Sequence, residues 1–147
     1  MMWHVIRTTF ISLGIGFLVE LANIWLASNF LHEFFRANLI TILVALLAVN
    51  AATMGIVLTK IRDLIDKNGG ADLFKSTRLN MLLSVKEQIG LIVLATIVLS
   101  VKSSPVVVGI QNLSLLFSAI VAGIFVYALL ILYDTAKSVL IIVDFNG

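Results

Sequence analysis

The sequence contains no cysteine, and its 147 residues include only one proline and two histidines. Without cysteine, the chain forms no disulfide bonds and has no thiol nucleophile or thiolate metal site, and its redox compartment stays undetermined. His4 and His32 have no ligand neighbours at metal spacing, so no metal site is predicted. The sequence also has no glycine-rich phosphate loop, serine-nucleophile motif or paired carboxylates. We therefore expect neither an enzyme nor a bound cofactor.

Charged residues are scarce as well. They make up 12% of the chain, whereas 61% of the residues are hydrophobic, and the mean hydropathy is +1.13. A soluble domain is closer to half apolar and about a quarter charged. A water-soluble fold of this size could not bury so much apolar surface, because small domains bury proportionally less of their chain. The composition predicts an integral membrane protein.

Four apolar runs have about the length that crosses a bilayer as a helix, which is roughly 20 residues. We predict an all-α, polytopic membrane protein with a single transmembrane domain over residues 1–147 and spans at about 10–31, 39–59, 85–101 and 113–133. The short aromatic segment 32–38 is expected to be the loop between the first two spans. In the third span only residues 89–101 are strongly apolar, so a tilted or re-entrant segment is the alternative to a full crossing.

Residues 60–84, between the second and third spans, predict a cytoplasmic helical hairpin. The second helix is expected to continue through TKIRDLIDK to Lys67 and to stop at Asn68-Gly69-Gly70, since glycine adopts the left-handed C-terminal conformation without steric cost. The return helix either runs unbroken from an N-cap at Asp72 or restarts at a capping box that begins at Ser84. Both alternatives stay open at the level of the sequence.

Lysine and arginine are unevenly distributed between the two predicted sides of the membrane. Arg36 and Lys102 fall on one side, and the other eight fall on the opposite side: Arg7, Lys60, Arg62, Lys67, Lys75, Arg78, Lys86 and Lys137. Short cytoplasmic loops carry the excess of these residues in multi-pass proteins. The pattern predicts a bacterial inner-membrane protein with both termini and the hairpin in the cytoplasm.

Glu20 is the most informative polar residue, because it is a carboxylate near the middle of the first predicted span. Asn23 follows one turn later on the same face, and Asn50 is expected at a similar depth in the antiparallel second span, within hydrogen-bonding reach of Glu20. An ionised carboxylate in hydrocarbon is costly unless it is paired or hydrated. Two interpretations remain: a protonatable site that lines a pore or relay, or a protonated Glu–Asn pair that locks helices or subunits together.

Small residues recur at four-residue spacing within the predicted spans. Such residues let helices approach closely where lipid supplies no hydrophobic drive for their association. Packing within one bundle accounts for some of them, but there are more such faces than one four-helix bundle needs, and we therefore expect a homo-oligomer. The residues selected on this basis are Gly16, Ala48, Ala52, Gly55, Ala119 and Gly123.

The predicted hairpin combines an apolar stripe with mixed charge. An apolar stripe on an exposed helix is expected to be covered by a partner. Basic residues near a leaflet can also be explained by membrane topology and by binding to anionic lipid. Direct nucleic-acid binding is not expected, because the basic residues are sparse and lack interleaved aromatics. The apolar run VLIIV in the tail, residues 134–147, either extends the last helix into a partner or adds a strand to one. The residues expected to bind a soluble partner are Ile61, Arg62, Leu64, Ile65, Lys67, Lys75 and Arg78.

The predicted layout has four spans, cytoplasmic termini and a charged hairpin, whose first arm is TKIRDLIDKNGG. This layout resembles small membrane components of phage-exclusion and antiphage systems. It is most similar to the membrane subunit of the Kiwa system (KwaA) and also resembles lambda RexB-type exclusion proteins. The Kiwa resemblance implies an oligomeric inner-membrane sensor that recruits a soluble effector through its cytoplasmic face. The RexB resemblance implies an ion-conducting protein that depolarises the cell.

These observations lead to two functional hypotheses. The first is a non-catalytic, homo-oligomeric inner-membrane sensor or scaffold that recruits a soluble cytoplasmic effector in phage defence. The second is an ion- or proton-conducting channel that depolarises the membrane, motivated by Glu20, Asn23 and Asn50.

Overall fold

The computed structural model describes residues 2–68, 75–108 and 110–143. Within them the fold is all-helical, as the sequence predicts. In chain order the helices are α1 (Met2–Trp25), α2 (Phe30–Asn68), α3 (Lys75–Lys102), the short α4 (Pro105–Val108) and α5 (Gln111–Val143).

Four of these helices are long and apolar enough to cross a membrane, judged by length and composition. The corresponding segments are Val5–Trp25, Phe30–Asp66, Lys75–Lys102 and Asn112–Leu140. The helix through the third span is continuous, with no restart at Ser84. α2 continues through Lys67, as expected, and includes Asn68, one residue beyond the predicted end. The glycines of the predicted helix stop and the N-cap candidate Asp72 lie outside the described residues.

The connection between the first two spans differs from the prediction. Residues 32–38, expected to form a loop, are helical, because α2 already begins at Phe30. The turn occupies residues 26–29 instead. It is a Schellman-type helix end, in which the Ser28 N–H donates to the Asn23 carbonyl and the Ala27 N–H donates to the Ile24 carbonyl. Ala27 has a φ of 49°, the left-handed conformation usually taken by glycine, which is why the sequence carried no clear signal for this turn.

α5 lies at the centre of the helix arrangement. α1 packs against α5, whereas α2 and α3 pack against each other and against α5. Accordingly, 50% of the span in α5 is buried, compared with 22% or less in the other three spans. The first hydrophobic core joins α2, α3 and α5. Its buried members are Phe35, Leu39, Leu43, Ala95, Val98, Val121, Ala122, Ile124 and Ala128.

A second hydrophobic core lies further along α2, towards its end at Asn68. Its buried members are Met54, Val57, Ile61, Leu64 and Met81, with Ile65, Val85 and Val139 packed against them. We call the segments that form it the stalk, namely residues 54–68 of α2, 75–85 of α3 and 131–143 of α5. The apolar tail run thus extends the last helix, and within the described residues it forms no strand.

Candidate functional site

The carboxylate of Glu20 is hydrogen-bonded to His32. Both carboxylate oxygens lie 2.9 Å from the Nε2 atom of His32. With the proton on Nε2, the imidazole donates and the carboxylate oxygens accept. Glu20 is 3% exposed, whereas the side chain of His32 is 35% exposed. The pair therefore links α1 to α2 across the turn, with the acid inside and the imidazole at the edge.

This pairing corrects the expectation that Glu20 hydrogen-bonds Asn50. Glu20 lies only five residues before the end of α1 at Trp25, not near the middle of a span. Asn50 lies about 30 Å along α2 from Phe30, at ~1.5 Å per residue. The two residues would face each other if the loop were at 32–38. With the turn at 26–29, their levels differ by roughly 20 Å.

Asn50 pairs instead with α3. Its Nδ2 donates to Oε1 of Gln88 at 2.9 Å and, over a longer distance of 3.4 Å, to the hydroxyl of Ser84. Asn50 and Gln88 are both fully buried. Oδ1 of Asn50 and Nε2 of Gln88 have no hydrogen-bond partner, so each amide of this pair keeps one unsatisfied group.

A cavity of about 290 Å³ surrounds the Glu20–His32 pair. All four long helices contribute to it, through Asn23 of α1, Arg36 of α2, Lys102 of α3 and Ser118 of α5, among others. We call this end of the molecule the turn end, because the α1–α2 turn and the α3–α4 connection meet here. Lys102 is half-buried and close enough to Glu20 and Arg36 for electrostatic interaction with both.

A further polar group lies nearer the stalk. The hydroxyl of Tyr127 in α5 interacts with the side chains of Thr9 in α1 and Glu87 in α3. Tyr127 is buried and Glu87 is half-buried. Neither Glu87 nor Gln88 was among the site residues predicted from the sequence, although a glutamate and a glutamine inside a candidate span are a polar signal that could have marked them.

The predicted small residues separate into two groups. Gly16 of α1 lies directly against Ala119 and Gly123 of α5: a Cβ atom added to Gly16 would come within 2.5 Å of the Ala119 carbonyl oxygen. Ala48, Ala52 and Gly55 lie on the exposed surface of α2, and nothing lies within 4 Å of a Cβ added to Gly55.

The residues expected to bind a partner also separate into two groups. Ile61 is 2% exposed, and Leu64 and Met81 are buried with it in the second core. The apolar stripe is therefore not an exposed surface, which corrects the sequence-based argument. Ile65 is half-buried in the same core. Arg62, Lys75 and Arg78 are exposed on the stalk, and the side chain of Lys67 lies outside the described residues.

Among the described residues, no group of three or more metal-ligating side chains is close enough together to hold a metal ion. Comparison with protein-family models, with curated proteins and with solved structures finds no match to this chain.

Proposed function

We propose that this protein is a non-catalytic membrane sensor or scaffold that presents its stalk to a soluble partner in the cytoplasm. The observation that carries the proposal is the second core. α2 has 39 residues, or about 58 Å of helix, and the hydrocarbon core of a bilayer is about 30 Å thick. The excess length is packed against α3 and α5 around buried apolar side chains. A projection with its own core can hold a binding surface rigidly outside the lipid.

The stalk surface, and not its apolar stripe, would contact the partner. Arg62, Lys75 and Arg78 are exposed there, and so are Asp63 and Asp66. Arg62 and Asp66 lie 4.0 Å apart as a highly exposed i,i+4 pair, and such a pair contributes little to stability. Substitution of these basic residues should therefore leave the fold intact while it changes the charge that a partner would meet.

The test is co-purification of the full chain with the soluble product of the adjacent gene. A variant that combines Arg62→Gln, Lys75→Gln and Arg78→Gln should retain much less of that protein. The matched control is Arg7→Gln, which removes an exposed positive charge from α1. Undiminished binding by the triple variant would reject recruitment through the stalk. Ile61→Ser is unsuitable for this test, because it places a hydroxyl in the second core and would disturb the stalk itself.

Recruitment requires the stalk to lie in the cytoplasm, as the distribution of lysine and arginine favours. A phosphatase reporter fused at Gly70 should be inactive, and a fluorescent protein fused there should fluoresce. The opposite result would place the stalk outside the inner membrane and exclude a cytoplasmic partner.

We further propose that copies of the chain associate through α2. Six small or short side chains at alternating three- and four-residue spacing are exposed along this helix: Thr41, Ala45, Ala48, Ala52, Gly55 and Thr59. Such a seam permits close helix approach in lipid. Ala48→Leu with Ala52→Leu should shift cross-linked oligomers to monomer, whereas Ala22→Leu on the exposed surface of α1 should not.

A role in phage defence is supported by the resemblance in layout to the Kiwa membrane subunit. Its test is the plating efficiency of phages on cells with and without the gene.

An ion- or proton-conducting channel is the second candidate. It is favoured by polar groups buried at two levels, Glu20 with His32 at the turn end and Asn50 with Gln88 nearer the stalk. Between these levels the first core is closely packed, with Leu39 and Ala95 fully buried. Conduction would require this core to open or a pore to form between copies. Purified protein in liposomes should then pass ions, with a lower flux for Glu20→Gln, and the absence of flux in the wild type rejects this class.

A further inference from the structure

The cavity at the turn end is lined by ionisable groups of both signs. Three basic side chains line it, His32, Arg36 and Lys102, and two acidic ones, Glu20 and Glu33. Arg36 and Glu33 are exposed at the rim, whereas Glu20 is buried and Lys102 is half-buried. The single buried acid is already hydrogen-bonded through both oxygens to His32. A cation would have to displace His32, whereas an anion would meet the ammonium group of Lys102, which also interacts electrostatically with Glu20.

One neutral amide side chain lines the cavity. Asn23 is 7% exposed and contributes its amide to the cavity wall. Two nearby hydroxyls already donate to backbone carbonyls, Ser118 to Ser114 and Ser103 to Leu99, both at 2.9 Å. The amide of Asn23 is therefore a buried neutral donor at the cavity.

We propose that this cavity binds a small oxyanion, a phosphate or carboxylate group carried either by a free solute or by the headgroup of an anionic lipid. Lys102 supplies the charge inside the cavity, Arg36 supplies charge at the rim, and the amide of Asn23 donates a hydrogen bond. The apolar wall of Leu31, Phe35 and Val121 receives the remainder of the ligand. A volume of about 290 Å³ is near the lower end of the range for small-molecule sites. It suits a small solute or one headgroup.

The inference deepens the proposed sensor function, because a bound oxyanion would be its stimulus, and it rests on that function only for this role. Binding is measured on the purified chain without a soluble partner. Loss of recruitment with binding intact would therefore reject the scaffold and keep the site. Recruitment of the partner without oxyanion binding would reject the site and keep the scaffold.

The experiment uses the full chain in detergent micelles. Calorimetric titration with inorganic phosphate and with acetate tests the free-solute source. Native mass spectrometry after incubation with phosphatidylglycerol, compared with phosphatidylcholine, tests the lipid source. Lys102→Met should weaken binding about tenfold, or 1.4 kcal/mol, whereas Lys86→Met should bind like the wild type, because Lys86 is exposed on α3 outside the cavity.

Asn23→Leu is the second variant. It replaces the amide with an apolar side chain of similar shape and should also weaken binding, so the result does not depend on the folding of Lys102→Met alone. Phosphate or acetate binding in lipid-free micelles supports a free solute, and selective retention of phosphatidylglycerol supports a lipid headgroup. The proposal is overturned if the wild type binds none of these probes, or if a folded Lys102→Met or Asn23→Leu variant binds them with unchanged affinity.

Discussion

Gly16 of α1 and Gly123 of α5 bring the backbones of their helices into direct contact. A Cβ atom on Gly16 would lie 2.5 Å from the backbone nitrogen of Gly123, closer than atoms pack in proteins. Contacts with fixed backbone atoms cannot be relieved by a rotamer change. Because α1 has its main packing surface on α5, this crossing point sets how α1 joins the rest of the fold.

Gly16→Ala should therefore destabilise the protein by about 1–3 kcal/mol or more, since overpacking forces the two helices apart. Gly14→Ala is the matched control, because Gly14 lies in the same helix and a Cβ added there has no neighbour within 4 Å. Alanine in a helix interior is favoured over glycine by roughly 0.5–1 kcal/mol, so the control should be neutral or stabilising. Thermal unfolding in detergent measures both, and equal effects would contradict the crossing geometry.

The Glu20–His32 pair should respond asymmetrically to substitution. His32→Leu leaves a buried carboxylate without its donor and should cost about 1–3 kcal/mol. Glu20→Gln keeps an acceptor for Nε2 and should cost less. The double variant Glu20→Leu with His32→Leu should be more stable than His32→Leu alone, because no carboxylate is left without its donor. Strictly additive effects of the single variants Glu20→Leu and His32→Leu in this cycle would show that the two side chains do not interact.

The turn between α1 and α2 carries a strained alanine. Ala27→Gly should stabilise the protein by about 1 kcal/mol, since the left-handed conformation costs an L-residue roughly 1–2 kcal/mol. Ala22→Gly, within α1, should instead destabilise by about 1 kcal/mol, because glycine has low helix propensity. Midpoints of thermal or denaturant unfolding distinguish the two, and a loss of stability in both variants would rule out the left-handed turn.

The buried Asn50–Gln88 pair should be more sensitive to single than to double substitution. Asn50→Leu leaves the Gln88 amide buried without a partner, at a cost of about 1–3 kcal/mol. Asn50→Leu together with Gln88→Leu removes both amides and, with them, the two groups that already lack partners. The double variant should therefore approach wild-type stability in detergent. A double variant less stable than Asn50→Leu would indicate that the pair makes a larger contribution than its one short hydrogen bond.

The course of α2 shows how much of the fold could be read from the chain. Its continuation to Lys67 was predictable, because helical spacing in KIRDLIDK is a local pattern. Its start at Phe30 was not, because residues 32–38 contain charges and aromatics typical of a loop, and the true turn uses Ala27 where glycine is expected. The apolar spacing of Ile61, Leu64 and Ile65 was also recognised. Only the structure shows that α3 and α5 cover them.

The candidate site shows the same division. Glu20 was identifiable because a carboxylate within an apolar run is costly wherever the run packs. Its partner was not identifiable, because His32 was assigned to a loop and Lys102 to an outer turn. Asn50 was recognised as a buried polar residue, but its partner Gln88 depends on the register between α2 and α3.

By itself, the sequence determined an all-helical chain with four helices apolar enough to cross a membrane. Helix formation and hydropathy are both sums over residues that are neighbours in the chain. The tertiary structure decided which side chains meet. A turn displaced by about seven residues along the chain shifts the residues of α1 relative to those of α2 by roughly 20 Å along the helix axes. Because of this shift, Glu20 pairs with His32 and not with the expected Asn50. The tertiary structure also places the apolar stripe of Ile61, Leu64 and Ile65 inside the second core. Its burial depends on which helices lie alongside α2, and this cannot be seen from the stripe itself.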